Sequence, residues 1–264
     1  RFSGTSGARM RAEVDPDCEG YARGPGKPMY TDKFRYEPEI KQRVVRDNFA
    51  TQKECIEVIG STLMGMIGQY QLGALTFLPV SGDAVPSVAK GMGIQGVKAI
   101  EALKERVRLC IMQDYNLTEL YHASCQAERV QSFFRLDKYQ ASQFHVYWQP
   151  KVDKGDQPHY HYSARLFLDT KDTHFEGGRL MFIDEEEDIV VNPVQGRLVT
   201  FTSGTENLYR RERVSNGTSF ALHMTFTTCR EHRQDDSIWF DELTNAEILQ
   251  KADENCKSWK KDNV

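Results

Sequence analysis

From about residue 128 the hydrophobic pattern of this chain switches to a period of two, and it stays there for some hundred residues. FHVYWQP, HYHYSARLFLD, GRLMFID, IVVNP, GRLVTFTS, LYRRERV and TSFALHMTFTT are short alternating runs separated by Gly, Asp, Asn and Pro. So many short strands with turn signals between them suit a closed or doubly layered antiparallel sheet. Ser215-Asn-Gly-Thr218 reads as a hairpin turn between the last two strands. Upstream the period is helical. Thr51-Gln-Lys-Glu54 is a capping box leading into CIEVIGSTLMGMIGQY, which predicts a helix over roughly residues 51 to 70. VKAIEALKERVRLCIMQDY predicts a second helix.

Together these patterns predict an α+β chain with a sandwich or barrel of strands. Residues 1–30 form an extended arm rich in Gly and Pro, 31–127 a helical region, 128–230 the strand core, and 231–264 a closing helical segment. Gly91-Met-Gly93-Ile-Gln-Gly96 has the dinucleotide-binding spacing but lacks the buried strand that must precede it, so it reads as a loop entering a helix. Asp184-Glu-Glu-Glu-Asp188 lacks the alternating ligands and glycine of a calcium loop and reads as a solvated turn.

Charge and composition narrow the function. A formal charge of −4 and a pI near 6.0 show no basic stripe for nucleic acid, and no apolar run reaches membrane-spanning length. The six cysteines are widely spaced with no Cys-x-x-Cys pair, which argues against structural zinc and fits disulfides. Two sequons, at Asn116 and Asn216, point with them to a secreted or secretory-pathway glycoprotein. A small-molecule substrate is the expected partner, and the oligomeric state is not encoded in any pattern.

Alternation divides each strand into two faces. Tyr160, Tyr162, Ala164, Leu166 and Leu168 oppose His159, His161, Ser163, Arg165 and Phe167. Phe220, Leu222, Met224 and Phe226 oppose Ser219, Ala221, His223, Thr225 and Thr227. Phe144, Val146 and Trp148 oppose Gln143, His145, Tyr147 and Gln149. Four histidines thus share the polar faces, which meet either solvent or a barrel interior lined with groups fit for chemistry.

Tyr162-Ser-Ala-Arg-Leu-Phe-Leu168, Glu176-Gly-Gly178 and Phe201-Thr-Ser-Gly-Thr-Glu-Asn207 resemble the double-stranded β-helix of 2-oxoglutarate- and iron-dependent oxygenases. They are most similar to the collagen prolyl 3-hydroxylase (leprecan) branch, over about residues 139 to 228. The resemblance implies a jelly-roll barrel supported by N-terminal helices, with the polar faces turned inward. It also implies a His-x-Asp pair and a distal His for Fe(II), with a basic residue for the 2-oxoglutarate carboxylate. Here the distal position falls on Tyr209 and the basic one on Ser219. The pair falls either on His159-Tyr-His161 or on His145-Val-Tyr147, so no complete triad remains and standard 2-oxoglutarate chemistry is not expected.

Two readings stay open. One is an O2-dependent oxidoreductase acting on a small molecule at a pocket of His145, Tyr147, His159, His161, Tyr209 and His223. In it, His159 and His161 are candidate metal ligands, and Arg165, Phe167 and Ser219 contact the substrate. The other is a barrel that kept the fold and serves as a secreted binding or scaffold protein. Arg210-Arg-Glu-Arg213 reads as one strand's charged side, with Arg211 and Arg213 on the face of Tyr209 and within reach of the same pocket.

Overall fold

The computed structural model describes residues 43–67, 75–82, 85–132 and 149–234. The predicted arm, the FHVYWQP strand with His145 and Tyr147, and the body of the closing helical segment lie outside the described residues, as do Cys18 and Cys256.

The elements run β1 (Arg43–Arg46), α1 (Gln52–Met66), β2 (Leu75–Pro79), α2 (Val85–Met92), α3 (Ile94–Asp114), β3 (Tyr121–Gln131), the short α4 (Asp153–Asp156), β4 (Tyr162–Phe167), β5 (Phe175–Gly177), β6 (Leu180–Phe182), β7 (Ile189–Val191), β8 (Leu198–Thr202), β9 (Tyr209–Arg211) and β10 (Val214–Thr227). The predicted capping box starts α1, with the Thr51 side chain accepting from Glu54 N and the Glu54 carboxylate accepting from Thr51 N at 2.8 Å.

Two antiparallel sheets face each other. The larger runs β1-β8-β4-β10-β3-β2, with β5 also on β10, and the smaller runs β7-β6-β9. This is the mixed helix and strand architecture that the alternation predicts, in the jelly-roll form that the resemblance implies. β1, β2 and the start of β3 lie upstream of residue 128, so the helical region contributes strands to the large sheet as well as its cover. β1 is anchored by Arg43, whose guanidinium donates to both Asp184 oxygens at 2.7 and 2.8 Å and stacks 4.3 Å from the Phe182 ring centre. The rest of the acidic turn after Asp184 stays largely solvated.

For β4 and β10 the face assignment holds over the described strand residues. Ala164, Leu166, Leu168, Leu222, Met224 and Phe226 are buried with Val58, Met66, Ile100, Val107 and Ile111 of the helices. The opposite faces point between the sheets, where Phe167, Leu180, Phe182, Val191, Val199, Phe201 and Tyr209 form a second apolar cluster. Because the side chain period is two, β4 and β8 serve both cores at once.

Two turn signals resolve differently from their motifs. Asn216-Gly217 makes no hairpin: β10 passes straight through it, pairing Asn216 with Glu176 and Gly217 with Phe175 beside a register shift. Gly217 has φ +79°, and a Cβ there would lie 2.6 Å from His174 O, so the glycine serves a bulge against β5 rather than a turn. The glycines at 91 and 96 are contact points between helices, where an added Cβ would meet Gly65 Cα at 2.9 Å and Ser61 Cβ at 2.4 Å. That packing role accounts for the Gly-x-Gly-x-x-Gly spacing without a nucleotide.

Candidate functional site

Between the sheets, the inward faces bring together a cluster of charged and polar side chains with Asp153 at one end and Glu128 at the other. Asp153 opens α4, directly after Val152 in extended backbone. Its segment is pinned to β9 by paired main-chain bonds, Lys151 N to Tyr209 O at 2.8 Å and Tyr209 N to Lys151 O at 3.0 Å. That pairing sets three side chains on one carboxylate. The buried Tyr209 hydroxyl donates to Asp153 Oδ1 at 2.7 Å, Lys151 Nζ lies 3.1 Å from the same oxygen, and His223 Nε2 lies 3.4 Å from Oδ2.

Burial opposes the charge on Asp153, but the neighbouring His223 and Lys151 outweigh it and hold the carboxyl well below its usual range. For Lys151, burial works against the ammonium, while the Tyr209 oxygen and Asp153 carboxylate raise its pKa. The Tyr209 phenol is pushed upward by burial and then by the Asp153 charge. At neutral pH the centre is therefore an ammonium, a carboxylate and a neutral phenol.

The other end is a buried ion triad. Arg211 Nη1 donates to Glu128 Oε1 and Oε2 at 2.8 and 2.9 Å, and Arg165 Nη1 lies 2.6 Å from Oε2. Burial would raise the Glu128 pKa, yet Arg165 and then Arg211 reverse this and hold it at about 2. The register sets Glu128 opposite Ala221, midway along β10 between His223 and Ser219. Phe167 backs the triad, its ring centre 5.6 Å from the Arg165 guanidinium carbon.

The predicted residues thus separate into two groups. Tyr209, His223, Arg165, Phe167 and Ser219 lie on inward faces, and the first two meet at Asp153. His159 and His161 are engaged elsewhere. The His159 ring stacks on His232 at 4.3 Å between centres and 13° between planes, and His161 Nδ1 lies 2.9 Å from Thr228 Oγ1. Stacked imidazoles hold their in-plane lone pairs side by side rather than aimed at a shared point, and among the described residues no three His, Cys, Asp or Glu side chains converge as a metal site. Burial and the nearby His232 and His161 depress the His159 pKa to about 4. Of the two predicted arginines after Tyr209, Arg211 reaches Glu128 and Arg213 is exposed. Asn116 and Asn216 are both exposed.

Lys151, Asp153 and Glu128 are the members that the sequence reading missed. Their available signal was Lys151-Val-Asp153, which has the two-residue spacing of His-x-Asp and precedes the strand YSARLF. Fe(II) in this fold takes two imidazoles and a carboxylate. Among the described residues, His223 is the one imidazole against Asp153. Lys151 is a protonated ammonium and Tyr209 a neutral phenol, so among the described residues this set does not fit the metal. They do not fit the cosubstrate anchor either: Ser219 carries no charge, and the two inward guanidiniums are held by Glu128.

No family profile matches the chain. Over 139 residues it is 37% identical to 2-oxoglutarate and iron-dependent oxygenase domain-containing protein 3 of Xenopus tropicalis, a match covering 52% of this chain and 44% of that protein. Over 85 residues it is 35% identical to human prolyl 3-hydroxylase 1, covering 31% of this chain and 11% of that one. The chain therefore spans less than half the length of the curated relatives it matches. Among solved structures, a Trichoplax adhaerens prolyl hydroxylase in complex with a hypoxia inducible factor peptide aligns with a TM-score of 0.54 at 14% identity, covering 74% of this chain and 87% of that chain. In sequence over about half its length and in fold over most of it, the chain resembles the 2-oxoglutarate- and iron-dependent oxygenase superfamily, with prolyl hydroxylases among its relatives and structural neighbours.

Proposed function

We propose that this chain is an oxygenase-fold protein that works as a binding barrel, without Fe(II) and 2-oxoglutarate at its centre. The observation that carries the reading is the Lys151 ammonium 3.1 Å from Asp153 Oδ1, on the same oxygen that accepts the Tyr209 hydrogen bond. Lys151-x-Asp153 then occupies the place of His-x-Asp, and Tyr209 that of the distal histidine. A carboxylate that must have a counter-cation obtains it from the chain instead of from a metal. Glu128, held between Arg165 and Arg211, likewise answers internally the cationic groups that could otherwise take a cosubstrate carboxylate.

The alternative of O2-dependent oxidation at a histidine-lined pocket loses support from the placement of His159 and His161 in a ring stack and a threonine contact. A secretory setting is supported by the exposure of both sequon asparagines, Asn116 and Asn216. It is tested by a glycosidase mobility shift on protein from a secretory host.

The function is tested by loading purified protein with Fe(II) under nitrogen, measuring bound metal, and following succinate formation from 2-oxoglutarate by NMR. Substoichiometric metal and no succinate are expected. One iron per chain with turnover of 2-oxoglutarate would refute the reading.

A further inference from the structure

We propose that an open groove on the small sheet is a docking site for an acidic, extended polypeptide segment of a partner. The groove encloses about 260 Å³ and is lined by Arg179, Met181, Arg210, Arg211, Glu212 and Arg213. Four of its six residues are arginines, of which Arg211 is paired with the buried Glu128 and Arg179 with Glu212, on a chain whose overall formal charge is −4. Such a local reversal of sign focuses the field on an incoming anion and favours one carrying several carboxylates.

The lining is ordered for this task. Met181 and Arg210 sit opposite each other in the β6–β9 register, so an apolar side chain lies next to an exposed guanidinium. Arg211 lines the groove while its Nη1 holds Glu128 in the barrel, which fixes that wall from within. Arg179 is held by Glu212 through two bonds, Nε to Oε2 at 2.7 Å and Nη2 to Oε1 at 2.6 Å. Both partners are about one-third exposed, and an ion pair in that setting contributes little. A ligand carboxylate can therefore exchange with Glu212 on a guanidinium already turned toward the groove, in the paired geometry that arginine offers carboxylates. Peptide rather than a single small anion follows from the spread of the charges along β9 and its exit to β10. The groove lies on the sheet's exterior, so the inference holds whether or not the barrel interior takes a metal.

The test uses fluorescein-labelled hexaglutamate and, as its control, labelled hexaglutamine, titrated by anisotropy with the full chain at low and high salt. Saturable binding of hexaglutamate alone, weakened by salt, is expected. Arg210→Glu is expected to weaken it by about tenfold at unchanged thermal midpoint. Glu212→Gln, which releases Arg179, is expected to strengthen it by about threefold, an effect that a passive solvated surface would not produce. Equal binding by wild type and Arg210→Glu, or no binding at low salt, would overturn the proposal. So would concentration-dependent dimerisation abolished by Arg210→Glu, which would place a second copy's acidic turn at Glu185–Glu187 in the groove.

Discussion

If Lys151 and Tyr209 replace metal ligands, then Lys151→His with Tyr209→His will build a metal site at Asp153. Asp153 already supplies the carboxylate, and the two changes remove the ammonium and the phenol that occupy its Oδ1. The paired main-chain bonds between Lys151 and Tyr209 keep both new imidazoles beside it. The substitution itself will cost stability, of order 1–3 kcal/mol, because Tyr209 fills space against Phe182 and Phe201. The variant must therefore be compared with itself, with and without metal. A cation bound only by the folded state adds RT ln(1 + [L]/Kd), about 2.7 kcal/mol at a hundredfold excess over Kd. For a domain of this size that corresponds to a rise in Tm of about 5–10 °C. The assay is a thermal melt with and without Co(II), an air-stable stand-in for Fe(II), together with bound metal per chain. Wild type is expected to show no shift, the double variant a shift with one Co(II), and the double variant with added Asp153→Ala no shift. Equal stabilisation of wild type and double variant, or a shift that survives loss of Asp153, would refute the reasoning.

Three further outcomes follow from the same interior. Glu128→Gln leaves two buried guanidiniums without their carboxylate and is expected to cost about 3–5 kcal/mol by urea unfolding at pH 7. Because the folded pKa of Glu128 is depressed to about 2, its contribution is present above the ordinary carboxylate range and is lost as pH falls toward 2, so the variant's deficit should shrink in acid. Tyr209→Phe strips a hydrogen bond from the buried Asp153 carboxylate and is expected to cost about 1.5–3 kcal/mol, measured the same way. Asp169 is the opposite case. Burial raises its pKa to about 7 against the pull of the Phe220 N–H, 2.8 Å from Oδ2, and of Arg165. A folded value above the unfolded one means stability is full below pH 4 and is lost as pH rises through 7, by up to ~4 kcal/mol at about 1.4 kcal/mol per pH unit. Asp169→Asn keeps an acceptor for Phe220 N and should be more stable than wild type at pH 8 but not at pH 4. A difference between the two that is flat across that range would contradict the assignment.

What was legible in the sequence is whatever rests on period. Leu166 and Arg165 differ by one position and face different cores, and alternation alone separated them correctly, as it separated Leu222 from His223. The capping box was legible because both of its hydrogen bonds are local. Asn216-Gly217 was not, since a glycine with positive φ suits a hairpin turn and a bulge equally, and only the pairing of β5 with β10 decides between them. Glu128 was hidden for a related reason: its partners come from β4 and β9, 37 and 83 positions away, and nothing local marks one glutamate among many as buried.

The centre was hidden by chemistry rather than by distance. A search for iron ligands follows histidines, and His159-Tyr-His161 offers two at the expected spacing, whereas Lys151 and Asp153 lie in QPKVDKGDQP, which reads as a polar loop. Yet the constraint that physics places on such a centre is charge compensation for a buried carboxylate, and an ammonium meets it as a metal does. Asp153 thus serves as the acceptor that orders Lys151, Tyr209 and the start of α4. A buried carboxylate at such a centre says nothing by itself about bound iron. What discriminates is the cation beside it, and here that cation is carried by the chain, two residues upstream and tied to the same strand as the phenol it shares.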